Sequence, residues 1–560
     1  MPSYDMRGLV LLLLITPLCF SLAVVNSLDG RDVVSTIYYA AVTGEKVVFV
    51  PPAYNEQIVY AKIGTGRDIL LVQSANSPVM TGMKNTLENR GNRVELLVSE
   101  EPYTTNLRLA EKSGARRFII VDPVYGYNTV SLLAYAKLNR MYLLFAEKDN
   151  ADMVINFIKT KNPQDLLLYG YVDDKVKDLL NENGLAYREI NKGDKFDDNL
   201  ELAKLYFQSN PSKKQVILSD GNAFDDTTAA GDDPVILISP IIPSATYNYI
   251  KENAASGQIQ VAMVIDKEYA QTAYNLKESI NKELGREALH AIVQVGQSVS
   301  KMGMVNADFF PVRGPVLGLE INNVEYNTNT KKIEVTYKNT GNALEYVKSR
   351  ILVFVDGNYA GTVGDEEPVA VNRGEKFGVG YPIEIESGEI TVNITSFYGS
   401  SRKYTENGLQ GVFAAGRVAF FDASSLVITA FTEDRETNDL FVTFANNGTV
   451  PLYFRPDATI GVNGTSTKIR DENTYALGVG EGRIIKFPGI AKAGSLIVVG
   501  ANYGAREAFL EKRVEGSYTP HGAGGGLGLI LDGNIAYILV ILLLIAIVAY
   551  LAWDKMKAKR

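Results

Sequence analysis

The sequence predicts a multidomain fold, with a head of α/β parallel-sheet repeats, two β-sandwich domains and a C-terminal transmembrane helix. Three observations indicate it: a helix-strand phrase that recurs in the first half, apolar and polar residues that alternate in the second half, and an uncharged apolar run near the end. The chain has 560 residues, of which 46% are hydrophobic and 21% are charged. A chain of this size and composition can bury several cores.

The N-terminal residues carry the pattern of a secretory signal peptide. An apolar run over residues 8–25 follows a basic residue and ends among small ones. We expect residues 1–27 to be removed by cleavage near Ala23 or Ser27. The alternative is an uncleaved anchor, because the run approaches the roughly 18 residues that a membrane span needs. The only cysteine of the sequence, Cys19, lies in this segment, so the mature chain would contain no thiol and no disulfide.

One helix-strand sequence pattern occurs twice in the first half, at residues 102–122 and 195–220. At a constant offset of 93, Tyr103, Asn106, Leu107 and Ala110 fall on Phe196, Asn199, Leu200 and Ala203. An earlier copy over residues 44–98 aligns with the second unit at an offset of 71, which places Val50, Pro52 and Tyr54 on Val121, Pro123 and Tyr125. Short apolar runs separated by helical stretches predict parallel sheets covered by helices. We expect α/β units over residues 30–100, 101–192 and 193–312, with Leu107 and Leu200 buried at matching junctions.

The helical lead, the strand, the Ala-rich helix and the strand "PVILIS" followed by "PSATYNYIKE" resemble the cell-wall-binding type 2 repeat family. The resemblance implies three tandem copies of a small parallel α/β unit, packed around a pseudo-threefold axis. It also implies a role on the cell envelope, where members of that family hold S-layer proteins and adhesins. The Asp-Arg-Tyr lead of the family is weakened here to "EEPY" at residues 100–103 and "GDKF" at residues 193–196, and the first unit lacks it.

From about residue 315 the pattern changes to period-two alternation with Gly, Asn and Asp turns, which predicts β-sandwiches. A second duplication has an offset of 107 and places Val335, Gly341 and Gly357 on Val442, Gly448 and Gly464. We therefore expect two sandwich domains, over residues 315–415 and 420–515. Their strands, "N-x-G" turns and "VDG" hairpin resemble Ig-like adhesion modules common on archaeal surface proteins. That resemblance implies a prokaryotic surface protein of archaeal type.

The C-terminal residues predict a membrane anchor. A Gly-rich linker over residues 516–534 leads into residues 535–553, an apolar run that is long enough to cross a bilayer and carries no charge. The basic tail, residues 554–560, predicts a cytoplasmic C-terminus by the positive-inside rule. We expect a single-pass membrane protein with an extracellular ectodomain. The alternative is a buried core helix of a soluble domain.

Candidate site residues fall into three groups. The acidic stretch with Asp220, Asn222, Asp225 and Asp226 offers oxygen ligands at a strand end and is our candidate Ca2+ site; its spacing does not match an EF-hand, and helix capping is the alternative. Tyr54, Tyr125 and Tyr127 follow predicted strands and could stack on sugar rings, or instead pack the units together. The sequons at Asn393, Asn447 and Asn463 predict glycosylation of the sandwich half.

Composition argues against several classes of function. Only His290 and His521 occur, so a Ser/His/Asp triad or a His-based metal site has few residues to use. The formal net charge of −8 repels nucleic acid, and we exclude nucleic-acid binding. Apart from Ca2+, we expect no cofactor.

The predicted function is therefore non-enzymatic. We expect an S-layer component or adhesin with its α/β head on a sandwich stalk, held by one transmembrane helix. Its expected partners are envelope polysaccharide or neighbouring surface proteins, the membrane through its C-terminal helix, and further copies of itself. The alternative is a receptor, or a sugar-binding or small-molecule-binding ectodomain, acting with a membrane partner. A glycan-active enzyme is a third reading.

Overall fold

The computed structural model describes residues 22–520, apart from residues 53, 266, 295–297, 301–302, 306–308, 436, 463–464, 471–472 and 492–494. The chain divides into two compact bodies. The first, called here the α/β body, comprises the chain up to Asp173 with Ala186–Val316 and Ser400–Tyr404. The second, called the β body, comprises Asp174–Leu185, Leu317–Gly399 and the chain from Thr405 onward.

In the part of the chain that the structure describes, the α/β repeats form three four-stranded parallel sheets. The first repeat contains β1 (Leu22–Asn26), α1 (Gly30–Thr43), β2 (Lys46–Phe49), α2 (Glu56–Ile63), β3 (Asp68–Ser74), α3 (Met83–Asn89) and β4 (Arg93–Ser99). After α4 (Pro102–Lys112), the second contains β5 (Arg117–Val121), α5 (Gly126–Asn139), β6 (Tyr142–Phe145), α6 (Ala151–Lys161), β7 (Asp165–Tyr169), α7 (Asp174–Glu182) and β8 (Arg188–Ile190). By its position in the chain α7 belongs to this repeat, but it groups with the β body.

After α8 (Lys195–Ser209), the third repeat contains β9 (Gln215–Ser219), β10 (Ala223–Phe224), α9 (Asp226–Ala230), β11 (Val235–Leu237), α10 (Ser244–Ala255), β12 (Val261–Val264), a 3-10 turn (Lys267–Tyr269), α11 (Ala270–Leu284) and β13 (His290–Val293). Short strands β14 (Ser298–Ser300), β15 (Gly303–Val305) and β16 (Phe310–Pro311) follow. The sheets have the orders β2-β1-β3-β4, β6-β5-β7-β8 and β11-β9-β12-β13. In each sheet the first strand of the repeat therefore lies second in order, and the next strand that joins that sheet lies at an edge.

Burial explains why the first strand of each repeat is a run of apolar residues. Strands β1, β5 and β9 are paired on both sides and are buried along almost their whole length. A strand covered on both faces by helices gains from apolar side chains at every position, not at alternate ones. The same side chains make these strands easy to recognise in the sequence.

Strand β1 corrects the predicted start of the first repeat and the predicted alignment of its strands. It lies within the segment predicted as a signal peptide. Each of its residues is nevertheless at most 1% exposed, and it is a central strand of the first sheet. The first repeat thus includes Leu22–Asn26, which precede its predicted start at residue 30. The offset of 71 paired β2 with β5, whereas the position equivalent to β5 is that of β1. Both strands are short and apolar, so the pattern alone could not fix which was which.

The β body contains two β-sandwich domains in its described residues. The first has β17 (Leu319–Asn327), β18 (Lys332–Asn339), β19 (Glu345–Val355), β20 (Asn358–Gly364), β21 (Val369–Val371), β22 (Lys376–Pro382), β23 (Ile390–Gly399), β24 (Asn407–Ala414) and β25 (Gly416–Val418). The second has β26 (Leu426–Asp434), β27 (Asp439–Asn446), β28 (Leu452–Val462), β29 (Thr465–Arg470), β30 (Tyr475–Leu477), β31 (Gly482–Phe487), β32 (Leu496–Gly504) and β33 (Lys512–Tyr518).

Each sandwich has a pair of sheets enclosing one apolar core. In the first, sheet β22-β18-β17-β25 faces sheet β20-β19-β23-β24, with β21 added to β19. In the second, sheet β26-β27-β31 faces sheet β29-β28-β32-β33, with β30 added to β28. The α/β repeats and the β-rich domains therefore fit the predicted fold class.

The predicted fold class is corrected at one element, the C-terminal transmembrane helix. Residues 535–553 lie outside the described residues, and none of the helices within the described ranges is long and apolar enough to cross a membrane. The single-pass location and the membrane partner depended on this span. Both are withdrawn with it.

Candidate functional site

The candidate site lies in the α/β body where the starts of α1, α5 and α9 come together, called here the repeat junction. Helices α1 and α5 follow β1 and β5, and α9 follows β9 with the short β10 between them, so all three begin beyond the carboxyl ends of these parallel strands. Helix α1 contacts α5 and β6, α5 contacts α9 and β11, and α9 contacts β2. Each repeat thus packs on the next in a closed ring. Crevices at the carboxyl ends of parallel strands are where open α/β sheets bind ligands.

Polar contacts close the ring between all three repeats. The Tyr38 hydroxyl of α1 donates to the Thr129 carbonyl of α5 at 2.7 Å. The Lys137 ammonium of α5 donates to the Ala230 carbonyl at 2.7 Å. Lys62 of α2 pairs with Asp226 of α9 at 2.5 Å, which joins the first repeat to the third.

The start of α1 carries a compact charged cluster. Asp29 is the N-cap of α1, accepting from the Arg31 backbone N–H at 2.9 Å and from the Arg31 guanidinium at 3.0 and 2.8 Å. Burial alone would raise the pKa of Asp29, but these hydrogen bonds and the charges of Arg31 and Arg313 outweigh burial and lower it. The same guanidinium lies 4.6 Å from the centre of the Tyr103 ring. This arrangement fixes the Asp29 and Arg31 side chains at the start of α1.

A second carboxylate at the start of α1 is buried. Asp32 is 1% exposed and accepts from the Ser27 and Ser99 hydroxyls at 2.7 and 2.6 Å. Thr105 donates to Ser99 at 2.8 Å, so the cluster joins the ends of β1 and β4 to α4. Burial raises the pKa of Asp32, which the two hydroxyl donors partly oppose. Sequence reasoning missed this cluster because its members are single residues spread over nearly eighty positions.

The predicted sugar-stacking tyrosines have different environments. Tyr54 follows β2 and is 39% exposed, whereas Tyr125 and Tyr127 follow β5 and are 4% and 6% exposed. The rings of Tyr125 and Tyr127 contact each other edge to face at 5.9 Å. Their burial favours the packing alternative for this pair, whereas the Tyr54 side chain is exposed.

The predicted Ca2+ ligands are engaged in protein contacts. Asp220 accepts from the Asn222 backbone and side chain at 2.9 and 2.8 Å. Asp225 caps α9 by accepting from the Thr228 backbone N–H at 2.7 Å, and Asp226 holds Lys62. Among the described residues, no group of three or more His, Cys, Asp or Glu side chains is placed to hold a metal ion. The capping alternative accounts for Asp225. The pairing of Asp226 with Lys62 could not be predicted from the sequence, because the two residues are 164 positions apart.

In each copy of the sequence pattern that recurs at an offset of 93, one asparagine bonds to the edge strand of a sheet. Asn106 of α4 donates to the Leu143 carbonyl of β6 at 3.0 Å and accepts from the Phe145 N–H at 3.4 Å. Asn199 of α8 makes the same pair of bonds to β11, at 2.8 Å to the Val235 carbonyl and 2.8 Å from the Leu237 N–H.

These two asparagines, rather than the leucines beside them, are the matching buried residues. Asn106 and Asn199 are each 1% exposed. Leu200 is buried, but Leu107 is only half-buried, so our expectation of two equally buried leucines was wrong.

The remaining predicted residues lie away from the repeat junction. His290 is exposed in β13, and His521 lies outside the described residues. In the β body, Asn393 is half-buried in the middle of β23, and Asn447 is exposed in the connection between β27 and β28. Asn463 falls in a gap of the described ranges. Glycosylation of these sequons stays a prediction.

Comparison with known proteins gives similarity in fold only. No protein-family description and no curated protein matches the chain. Among solved structures, Cwp8 from Clostridium difficile is 15% identical over 47% of this chain and 47% of its own, with a TM-score of 0.38. Cwp6 from Clostridium difficile is 13% identical over 42% of this chain and 40% of its own, with a TM-score of 0.34. The chain spans less than half the length of either structure. These values carry no functional argument.

Proposed function

We propose that this chain is a non-enzymatic protein of the cell surface, an S-layer component or an adhesin. In this proposal its α/β body binds envelope polysaccharide or neighbouring surface proteins. The observation that supports it best is the closed ring of repeats with one common strand order. That arrangement is what the resemblance to the cell-wall-binding type 2 repeat implies, and members of that family act on cell envelopes.

The chemistry of the repeat junction also favours a binding or structural role. Its carboxylates cap helices, pair with lysines or accept from buried hydroxyls, as Asp225, Asp226 and Asp32 illustrate. A general acid or base needs a side chain that can reach a substrate proton. Asp32 and Asp225 are buried with their contacts, and the exposed Asp226 is paired with Lys62.

Binding to isolated cell envelopes tests the proposal. The purified full chain is mixed with envelope fragments that are intact, stripped of polysaccharide, stripped of surface protein, or stripped of both, and then sedimented. We expect it to sediment with intact envelopes and to lose binding after one of the two treatments, which identifies the partner class. Equal sedimentation with envelopes stripped of both, or none with intact envelopes, would contradict the proposal.

Two further measurements separate the alternatives. Electron microscopy of envelopes with bound protein distinguishes a periodic lattice, expected of an S-layer component, from scattered molecules, expected of an adhesin. Incubation with envelope polysaccharide should release no new reducing ends. Their appearance in proportion to protein added would show a glycan-active enzyme and overturn the non-enzymatic assignment.

A further inference from the structure

A short segment after the third sheet runs back into the repeat junction. This segment, called here the clasp, consists of Phe310, Pro311, Val312 and Arg313. Phe310 and Pro311 form β16, which pairs antiparallel with β10. The Val312 N–H then donates to the Asn222 carbonyl at 2.9 Å. The clasp therefore lies as an added strand along residues 222–224.

The clasp presents alternate side chains to the junction. Phe310 is 1% exposed and Val312 is 9% exposed, whereas Pro311 and Arg313 are exposed to solvent. The Phe310 ring contacts Phe49 edge to face, with ring centres 6.2 Å apart. Since Phe49 ends β2, the clasp bridges the third repeat, which contains β10, to the first.

The clasp also supplies a cap that α5 lacks. Helices α1 and α9 are capped by the side chains of Asp29 and Asp225, but the N-cap residue of α5, Tyr125, makes no side-chain capping bond. Instead, the Gly126 N–H donates to the Arg313 carbonyl at 3.0 Å. An unpaired N–H at a buried helix start is costly, so this bond ties the second repeat to the clasp.

Glycine at the start of α5 is what permits this approach. A Cβ on Gly126 would lie 2.2 Å from the Arg313 carbonyl oxygen, closer than the atoms can come. Gly30 holds the equivalent first position of α1 and also faces the clasp. A Cβ there would lie 3.7 Å from the Phe310 ring, at an ordinary contact distance. The two glycines thus make a matched pair for experiment.

We propose that the repeat junction is a groove for an extended peptide with two apolar residues separated by one, and that the clasp is the internal ligand that fills it and locks the three repeats together. Strand addition of this kind takes affinity from main-chain hydrogen bonds and specificity from pockets for alternate side chains. The groove recognises Phe310 and Val312 in this way. The proposal does not depend on the envelope role, and it directs the search for an envelope ligand to other surfaces of the α/β body.

Supplying the clasp as a separate peptide tests the groove. The full chain with F310A and V312A is titrated with a fluorescent peptide of residues 308–315, and binding is followed by anisotropy. We expect saturable binding to this variant and at least about tenfold weaker binding to the unmodified chain, whose groove is filled. A peptide with both apolar residues changed to alanine should not bind. Equal binding to both proteins, or binding to neither, would overturn the proposal.

A second test leaves the clasp sequence intact. In the full chain, Gly126→Ala should lower the melting temperature of the α/β body and speed tryptic cleavage after Arg313, while Gly30→Ala should change neither by a comparable amount. Equal behaviour of the two variants would count against the clasp. If Gly126→Ala does not fold, hydrogen exchange on the unmodified chain decides: the amides of Gly126 and Val312 should exchange slowly. Exchange at the rate of an open chain would refute the proposal.

Discussion

Buried polar side chains do much of the joining between the α/β repeats. Strands β6 and β11 are edge strands whose outer backbone groups need partners. Asn106 and Asn199 provide them, because a carboxamide can donate to a carbonyl and accept from an N–H as a neighbouring strand would. One helix side chain thereby protects the edge and fixes the helix on it.

Replacing these asparagines should weaken the junctions. Asn106→Ala or Asn199→Ala leaves a buried carbonyl and a buried N–H without partners, so each should cost the α/β body about 1 to 3 kcal/mol. Urea denaturation followed by far-UV circular dichroism measures this. Asn275→Ala is the control, since Asn275 is exposed and its side chain accepts from Gln271 on the same helix. Equal stability of all three variants would show that the bonds to β6 and β11 do not hold the helices.

Asp198 predicts a pH dependence of stability. Asp198 lies on α8 and is 4% exposed, and burial raises its pKa to about 7. The negative charges of Asp194 and Asp197 also raise this pKa, whereas the hydrogen bond that Asp198 accepts from the Lys192 N–H opposes the rise. In the unfolded chain the carboxyl ionises near pH 4. The folded chain thus binds more protons between about pH 4 and pH 7, and this group's contribution makes stability fall as pH rises through that window.

The variant Asp198→Asn should remove that dependence. It keeps an oxygen to accept from Lys192, so at pH 8 it should be more stable than the unmodified chain by about 2 to 4 kcal/mol, with little difference near pH 4. Denaturation curves at several pH values test this. A difference that does not change with pH would mean that Asp198 titrates normally in the fold. The pKa of Glu45 is also raised to about 7 by burial, but it affects both proteins alike.

Part of the residue-scale picture could be predicted from the sequence. The match of Asn106 with Asn199 was visible, but amphipathic reasoning favoured the neighbouring leucines as the buried residues. That reasoning assigns polar residues to solvent, and it fails where a polar side chain bonds an edge strand. The pairing of Lys62 with Asp226 and the role of Phe310 could not be predicted, because each depends on a partner far away in the chain.

At the scale of elements, the β-sandwich duplication is reproduced in the opening strands of the two domains. Strands β17, β18 and β19 recur as β26, β27 and β28 at the offset of 107 seen in the sequence. A bulge follows Ile321 in β17 and Ile428 in β26. Asn339 and Asn446 end equivalent strands and donate to carbonyls of the turn that follows. Period-two alternation and turn residues are local signals, which is why this half was the more predictable.

The N-terminal strand predicts where the chain can be shortened. Removing residues 1–21 leaves β1 intact, so the α/β body should fold and melt as before. Removing residues 1–26 deletes a central strand that pairs with both β2 and β3, and the α/β body should not fold. Circular dichroism and proteolysis of the two shortened proteins make the comparison. A stable α/β body in the shorter protein would show that β1 is dispensable.

At the scale of the whole molecule, each body is closed by contacts between segments distant in the sequence. In the β body, Arg506 lies between the rings of Phe420 and Phe509, 4.2 Å from each ring centre. It also pairs with Glu334 of β18 at 2.7 Å. The Gly378 N–H of β22 donates to the Ala508 carbonyl at 2.7 Å. The loop between β32 and β33 thus binds the first sandwich tightly.

This joint predicts that the two sandwiches unfold together. Arg506→Ala removes the cation from Glu334, which is 4% exposed, and a buried carboxylate without its partner should cost about 3 kcal/mol or more. The shared transition of the β body should split in calorimetry, and proteases should cut the connection between β25 and β26 sooner. The control is Arg435→Ala, because the Arg435 side chain is exposed and its pair with Glu433 is long, at 3.8 Å, so it should contribute at most about 1 kcal/mol. If both arginine variants keep one transition and resist proteolysis equally, Arg506 does not couple the sandwiches, and each folds as an independent domain.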